Sequence, residues 1–260
     1  MSARTIGDAR RCAIASSSMD FQHSAEIWGD FPELVPGVLF ADGLRREVPP
    51  VGPRAARFTA IAAGRLASGS EAELPEIQAW RRAFSRMGLK PTQYRCASES
   101  LLRRFRKEGS LPGLHPLVDL CNAISLAYAI PVAVFDVSRI TSGLEVRYAD
   151  GDEEYLTFSG ATEHPAPHEV IFADSARRVH ARRWTNRQSG WSAMRDSTDA
   201  ALIVAEALHD SAAADVRELT ATLAGELEAI WSVTPTAALL SPSSPCFTFA
   251  DTTSASSPTP

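Results

Sequence analysis

Apolar residues in the first half of the chain recur mainly at intervals of three and four positions, which is the spacing of one face of an α-helix. Glycines and prolines interrupt this pattern and mark where the helices end. The pattern predicts three helices, over residues 71–87, from Ser98 as the capping residue to Gly109, and over 117–129. Before them, a short apolar run at 34–40, broken by Pro36 and Gly37, predicts a first strand entered through a turn.

The hydrophobic period changes near residue 131. Five short segments follow that are rich in β-branched and aromatic residues and separated by Gly, Pro or Asp turns. They predict strands over residues 131–137, 144–149, 153–158, 169–174 and 179–184. Helical spacing returns over 199–209 and 213–230. This order predicts an α+β fold, with mixed, mainly antiparallel β layers and flanking helices arranged like a ββα sandwich.

The patterning is continuous between residues 20 and 233, without a Gly/Ser-rich or Pro-rich linker, and this predicts a single domain. From residue 234 to residue 260 the chain is rich in Pro, Ser and Thr and has no helical or strand period. We therefore expect a disordered tail there. The first 19 residues are also expected to be disordered, and they lack the apolar segment of a secretory signal.

The composition is that of an ordinary globular protein, with 260 residues, 45% hydrophobic and 22% charged, and a net charge of −5. No apolar run approaches the roughly 20 residues that span a bilayer, so no membrane association is expected. The cysteines form no Cys-x-x-Cys pair and the histidines are scattered. We therefore expect free thiols in the cytoplasm, and neither a metal nor a cofactor. Gly-rich phosphate loops and nucleophile elbows are also absent from the sequence.

Positive charge is concentrated in two short stretches although the whole chain is acidic. Between residues 81 and 107 the basic residues, including Arg103 and Arg104, are accompanied only by Glu99. A second group of arginines lies between residues 177 and 187. Such local clusters are typical of surfaces that bind polyanions such as RNA. The alternative interpretation is that these arginines only solvate the surface of the fold.

The segment 182–189, with the sequence RRWTNRQS, is denser in hydrogen-bond donors than a loop requires. It contains three guanidinium groups, two side-chain amides and one aromatic ring, and the candidates among them are Arg183, Trp184, Asn186, Arg187 and Gln188. This set suits a ribose, a base or a carboxylate. The alternative is a solvated end of a strand with a half-buried tryptophan.

Acidic and amide residues in apolar surroundings provide further candidates. Asp119 and Asn122 are three residues apart and therefore lie on one face of the third predicted helix. They form either a hydrogen-bonding pair in the core or part of the wall of a pocket. Asp136 and Asp174 end predicted strands, where binding sites often lie and where Asp also commonly forms turns.

Four segments carry a resemblance to a known family. They are PLVDLCNAISL, IPVAVFDVSRI followed after two residues by GLEVRYADGDEEYLTFSG, HEVIFAD, and RRWTNRQS. In this order and spacing they resemble the B3/B4 domain, which is the editing domain of the phenylalanyl-tRNA synthetase β subunit, and its free-standing relatives. The resemblance covers residues 71–209.

The resemblance implies a domain that binds the aminoacylated 3′ end of a tRNA and hydrolyses the ester of a wrongly attached amino acid. It places Asn122 in the pocket wall, framed by the helix of Asp119 and the strand that ends at Asp136. Two departures from the synthetase pattern are Ala133, where the synthetase has His, and the segment RRWTNRQS, where it has a Gly-rich segment. They imply a pocket of different shape and substrate.

We therefore expect a trans-editing deacylase that uses no metal or cofactor and acts on aminoacylated tRNA, with a synthetase or the ribosome as a further candidate partner. The expected catalytic donors to a positioned water and oxyanion are Asn122, Arg183 and Asn186. The expected substrate-binding residues are Asp119, Asp136, Trp184, Arg187, Gln188, Arg103 and Arg104. Two alternatives remain open: a tRNA- or RNA-binding module without catalysis, and a protein that binds a free amino acid.

Overall fold

A computed structural model describes residues 18–250 of the chain. The α-helices in this range are α1 (Ala25–Asp30), α2 (Gly52–Ala67), α3 (Pro75–Arg86), α4 (Ala97–Glu108), α5 (Pro116–Tyr128) and α6 (Ala212–Trp231). The first six strands are β1 (Ser18–His23), β2 (Val35–Ala41), β3 (Val132–Asp136), β4 (Gly143–Tyr148), β5 (Glu154–Leu156) and β6 (Thr162–Glu163). The others are β7 (Val170–Asp174), β8 (Arg178–Arg182), β9 (Arg187–Gln188), β10 (Ala201–Ala207), β11 (Thr236–Leu239) and β12 (Cys246–Ala250).

The strands form two open sheets. The larger sheet has the order β12-β1-β4-β7-β8-β5-β6, with β9 paired to β8, and is antiparallel except at the β1–β4 and β5–β8 pairs. The smaller sheet has the order β11-β2-β10-β3 and is antiparallel throughout. Two mainly antiparallel sheets with helices confirm the α+β class that the sequence pattern predicts.

The smaller sheet is the middle layer of the fold, because both of its faces are buried. Successive side chains of a strand point to opposite faces. On β10, Leu202 and Val204 belong to the core that also contains residues of the larger sheet, α3 and α4. Ile203 and Ala205 belong to a second core, which is formed with α2, α5 and α6. The two cores therefore lie on either side of one four-stranded sheet.

The helix predicted over 199–209 is wrong, because Ala201–Ala207 is strand β10. All seven of its residues are buried, since helices cover one face and the larger sheet covers the other. A strand buried on both faces has no alternation of polar and apolar residues and cannot be distinguished from a buried helix by its period. Apolar spacing alone therefore gave the wrong element here.

The disordered tail predicted over 234–260 is wrong for its first part, which contains β11 and β12. β12 pairs with β1, and Phe247 and Phe249 pack into the core between the sheets. Ser18 and Met19, within the predicted disordered N-terminus, belong to β1. The larger sheet thus extends beyond the predicted domain limits of 20 and 233. Residues 1–17 and 251–260, also predicted to be disordered, lie outside the described residues.

Helix starts differ from the prediction in two places. Ser98 does not cap α4, because Cys96 is the capping residue and Ser98 lies buried inside the helix. The helix predicted over 71–87 is interrupted, since a 3-10 turn over Glu71–Glu73 precedes α3, which begins at Pro75. Proline favours the first turn of a helix because it lacks the N–H that would be unpaired there. Gly109 ends α4 in the left-handed conformation, as predicted.

Candidate functional site

The chain leaves β8 through a tight turn that is held at several points. Arg183 and Trp184 both have positive φ angles, of 46° and 57°. Residues other than glycine rarely adopt this backbone conformation, so surrounding contacts must stabilise it. The Trp184 N–H donates to the Val170 carbonyl at 2.7 Å, and the Arg183 N–H donates to Glu169 Oε1 at 3.1 Å. These bonds direct the following residues back across the sheet toward β9.

The Glu169 carboxylate, which accepts the Arg183 N–H of this turn, is held in place by Arg182. Arg182 Nε and Nη2 donate to the two carboxylate oxygens at 2.8 and 2.9 Å, which is a bidentate pair. Burial favours the neutral form of Glu169, but the hydrogen bonds and charge of Arg182 outweigh it, so the pKa of Glu169 is lowered. The buried pair holds Glu169 ionised and fixes the start of the turn.

The Trp184 side chain points into the core and is fully buried. Its ring packs edge-on against Phe31 and Trp80, with ring centroids 4.7 and 5.0 Å apart. Its Nε1 donates to Glu206 Oε1 at 2.9 Å, and His23 Nε2 lies 2.6 Å from the same oxygen. Both groups engage one oxygen of a carboxylate on β10. They leave Glu206 Oε2 without a hydrogen bond inside residues 18–250.

Glu206 lines a cavity of about 60 Å³ between the two sheets. The walls are mostly apolar and come from β3, β7, β8, β10 and the start of α4. The lining residues are Ala97, Pro131, Val132, Ala133, Phe172, Ala181, Trp184, Thr185, Asn186, Arg187, Gln188, Val204 and Glu206. Glu206 is the carboxylate among these residues, and it is buried. Small-molecule sites have the same kind of lining, apolar with a few convergent polar groups, in cavities of about 300–1,000 Å³, so this smaller cavity has room only for a small chemical group.

The polar edge of the cavity consists of residues from the RRWTNRQS segment. Asn186 Nδ2 donates to the Arg95 carbonyl at 2.7 Å, and Gln188 Nε2 donates to the Val134 carbonyl at 2.6 Å. A side-chain amide has two N–H groups, so each of these amides keeps a second donor. Arg187 pairs with Glu163 at 3.1 Å. The cavity therefore combines a buried acceptor with nearby amide donors.

The structure brings together four of the residues selected from the sequence, namely Trp184, Asn186, Arg187 and Gln188. Arg183 does not line the cavity, because its guanidinium lies over the ring of Tyr94, 4.7 Å from the centroid. Its expected role as a catalytic donor stays a prediction without support from this placement.

Asp119, Asn122 and Asp136 are not brought to the cavity. Asp119 Oδ1 accepts the N–H of Leu114 at 2.8 Å and holds the loop before α5. Asp136 accepts hydrogen bonds from Ser138 and Thr198 at the turn after β3. For both carboxylates the structure favours the local structural role over the role in binding. Asn122 lies partly exposed on α5.

The basic stretch on α3 and α4 carries less available charge than the sequence suggests. Arg103 pairs with Glu71 at 2.9 Å, and Arg104 pairs with Glu108 at 2.9 Å. Arg81 makes two hydrogen bonds to the buried carboxylate of Glu99. These acidic partners come partly from outside the stretch, so a local count of charges misses them. Arg103 and Arg104 lie away from the cavity lining.

Sequence reasoning missed Glu206 and His23, which form the buried polar centre of the site. A charged residue inside the apolar run ALIVAEAL was the available indication, because an acidic side chain is rarely buried without a partner. The helical interpretation of this run obscured it. His23 was missed because β1 was not predicted.

None of the helices over residues 18–250 is both long and apolar enough to cross a membrane. The sequence profile of the B3/4 domain matches residues 79–221. The phenylalanine–tRNA ligase β subunit of Cereibacter sphaeroides is 37% identical over 76 residues, which are 29% of this chain and 9% of that protein. The corresponding subunit of Coxiella burnetii is 36% identical over 78 residues, which are 30% and 10%.

The chain thus spans about a tenth of the length of these relatives. Among solved structures, it is similar to an N-terminal fragment of the phenylalanyl-tRNA synthetase β subunit from Pyrococcus horikoshii. That similarity has a TM-score of 0.44 at 9% identity and covers 87% of this chain and 52% of the fragment.

Proposed function

The chain belongs to the B3/4 domain family, and we propose that it hydrolyses, in trans, the ester that joins a mischarged amino acid to the 3′ end of a tRNA. Its relatives are phenylalanine–tRNA ligase β subunits, which connects this domain with aminoacylated tRNA. The single observation that carries the proposal is the cavity between the sheets, with one buried carboxylate and two amide donors.

In this proposal, Glu206 receives the α-ammonium group of the aminoacyl moiety. Its Oε1 is held by His23 and Trp184, so the carboxylate is already oriented before substrate arrives. A positive group against a buried carboxylate forms a charge-assisted hydrogen bond, which is stronger than a neutral one. The ammonium group is common to aminoacyl-tRNAs, and the small volume between the apolar walls then excludes bulky side chains.

The chemical step needs water and a stabilised oxyanion. Water attacks the ester carbonyl carbon, the bond from that carbon to the ribose oxygen breaks, and a proton from the water passes to the departing ribose oxygen. We assign the second N–H groups of Asn186 and Gln188, which the bonds to Arg95 and Val134 leave unused, to the oxygen that becomes negative. No covalent enzyme intermediate is required.

The decisive experiment is deacylation of a panel of mischarged tRNAs, with Asn186→Ala and Asn122→Ala compared as matched variants. Loss of an oxyanion donor typically lowers kcat about 10²–10³-fold, so we expect that loss for Asn186→Ala. Asn122→Ala, outside the cavity, should stay within about threefold of the parent chain. Equal losses in the two variants, or no hydrolysis above buffer by the parent chain, would contradict the proposal.

Two further probes examine the cavity itself. Ala133 lies half-buried on β3 and lines the cavity, so Ala133→Phe should fill the space and abolish deacylation while circular dichroism stays unchanged. N-acetylated aminoacyl-tRNA lacks the positive charge that Glu206 receives, and we expect it to be hydrolysed about tenfold more slowly. An acetylated substrate cleaved at the normal rate would assign Glu206 another role.

The same assays separate the two alternative functions. A tRNA-binding module without catalysis would bind charged tRNA in a salt-dependent manner and leave the ester intact. A protein for free amino acids would bind them in calorimetry with little dependence on salt, and Ala133→Phe would abolish that binding. We do not expect the result of a pure binding module, because six of the nine basic side chains between residues 81 and 107 are already paired with carboxylates.

A further inference from the structure

A second polar cluster lies where α3, the end of β10 and the start of α6 meet. Glu76 comes from the first turn of α3, His209 follows β10, and Asp215 lies in the first turn of α6. One potential ligand atom from each residue lies within 4.8 Å of the other two. The residues are far apart in the sequence, and the fold alone brings them together.

Two ligand atoms of this cluster are buried and unpaired in the described part of the chain. They are Glu76 Oε2 and His209 Nδ1. The Glu76 and His209 side chains are more than nine-tenths buried as residues, at 8% and 5% exposure. Buried polar atoms in native proteins almost always have partners, and an unpaired one indicates a missing water or ion. Two such atoms in one cluster point to a bound species.

We propose that Glu76 and His209 bind a single divalent transition-metal ion of the zinc type, and that Asp215 holds the histidine ring in place. Imidazole and carboxylate together suit zinc and its neighbours, whereas calcium and magnesium take oxygen ligands. His209 Nε2 lies 2.7 Å from Asp215 Oδ2, and the Ser211 hydroxyl donates to the same oxygen at 2.6 Å. A histidine whose second nitrogen contacts a carboxylate is the usual arrangement around a bound metal.

The charge balance of the cluster suits one divalent ion. Arg65 Nη2 donates to Glu76 Oε1 at 2.6 Å, which leaves Oε2 as the unpaired oxygen. The guanidinium offsets one of the two carboxylate charges, so with a neutral imidazole the cluster carries a net charge of −1. A bound divalent cation changes the net charge of the cluster from −1 to +1. Water molecules supply the remaining ligands of the ion. The proposal thus revises the expectation, from the scattered histidines, that the chain has no metal site.

The proposed metal site is separate from the cavity and does not depend on the proposed deacylase function. The two are linked through one helix and one strand, since Trp80, one turn after Glu76 on α3, donates from Nε1 to the Glu206 carbonyl at 3.3 Å. A metal ion would therefore fasten α3 and α6 to the strand that carries Glu206. Its role would be structural, with an effect on stability.

The test is zinc binding by the full chain after treatment with a chelator, measured by calorimetry and by metal analysis after equilibrium dialysis. We expect one equivalent of zinc, with affinity lowered at least tenfold in Glu76→Gln and in His209→Gln. Asp152→Asn is the matched control, because Asp152 is exposed and belongs to a separate acidic group with Asp150 and the buried Glu153. The control should bind zinc as the parent chain does.

A readout without substitution covers the case in which a variant does not fold. Cobalt added to the chelator-treated parent chain should give the visible absorption bands of a nitrogen- and oxygen-ligated ion, and zinc should displace them. Zinc should also raise the Tm of the parent chain, because it binds the folded state. Absence of stoichiometric zinc binding, or equal binding by the parent chain and folded Glu76→Gln, would overturn the proposal and assign the space to buried water.

Discussion

The basic stretch 81–107 and the segment 182–189 are both rich in arginine, and the fold uses them in different ways. On α3 and α4 the arginines hold the helices in place, since Arg81 and Arg95 both contact the buried Glu99. In the segment 182–189, Arg182 has a similar structural role, because it forms an ion pair with the buried side chain of Glu169. The amides that follow it reach the cavity, and each retains a free donor.

The difference shows that the availability of a polar group depends on partners that are distant in sequence. Arg103 is paired with Glu71, which precedes it by 32 positions, on the far side of a helix boundary. Asn186 instead donates to a backbone carbonyl, and this uses only one of its two N–H groups. The segment with fewer charges is therefore the one with more groups available to a ligand.

The largest effect that we predict from this comparison concerns Trp184, which anchors the segment from inside. Trp184→Ala should lower the free energy of unfolding by about 4 kcal/mol, because it removes a fully buried ring that packs against Phe31 and Trp80. Urea denaturation followed by circular dichroism measures this loss. Trp184→Phe keeps most of the ring and removes only the N–H to Glu206, so its loss should be smaller. An equal loss of unfolding free energy in the two variants would mean that packing of the ring contributes little.

The second prediction concerns the buried acid of the basic helices. Glu99→Gln should cost about 3 kcal/mol of folding free energy, since it leaves the Arg81 guanidinium without its carboxylate in a partly buried place. Glu108→Gln is the matched control, because its partner Arg104 is exposed, and the expected cost is about 0.3 kcal/mol. Similar costs for the two substitutions would show that the basic helices are held by packing alone.

The third prediction uses the dependence of stability on pH at the start of the segment. The pKa of Glu169 in the folded chain is below its ordinary value of 4.5, chiefly because hydrogen bonds from Arg182 outweigh the effect of burial. A lowered pKa in the folded state contributes stability above pH 4.5, and this contribution disappears as the pH falls through the folded value. Glu169→Gln should therefore be less stable by roughly 2 kcal/mol at pH 7.

The measurement is the unfolding free energy of both chains in urea between pH 7 and pH 3. The gap between the parent chain and Glu169→Gln should narrow as the pH falls below 4.5. A gap that stays constant over this range would mean that Glu169 has its ordinary pKa in the folded state. Glu154→Gln serves as the control, because Glu154 is exposed on β5.

Much of the fold could be predicted because Gly, Pro and Asp turns bound the short strands and because amphipathic spacing marks helices such as α3 and α4. α5, β7 and β8 follow the predicted periods within a few residues. β10 could not be predicted in this way, because both its faces are buried and its period is lost. The tail was misjudged for another reason: its Pro and Ser residues surround two short strands whose phenylalanines are buried only after β12 pairs with β1.

The candidate site could be predicted only for the part that is continuous in sequence. Asn186 and Gln188 lie within one donor-rich segment and were found there. Glu206 and His23 meet through the stacking of β10 on β1, across 183 positions, and no local pattern indicates such a pair. Asp136 was selected for its position at the end of a strand, and its carboxylate forms the turn that follows.

The smallest predicted effect compares how much the basic stretch 81–107 and the segment 182–189 each contribute to binding of tRNA. Arg104→Ala should change the KM for charged tRNA less than threefold, since Arg104 is exposed, paired with Glu108 and outside the cavity. Arg187→Ala removes a guanidinium from the cavity lining and should raise the KM several-fold more than Arg104→Ala does. Deacylation at several salt concentrations measures both, because loss of a phosphate contact also lowers the salt dependence of binding. A larger effect of Arg104→Ala on the KM and on the salt dependence would identify α4 as the docking face for tRNA. The ion pairs of the basic helices would then have to open when RNA binds.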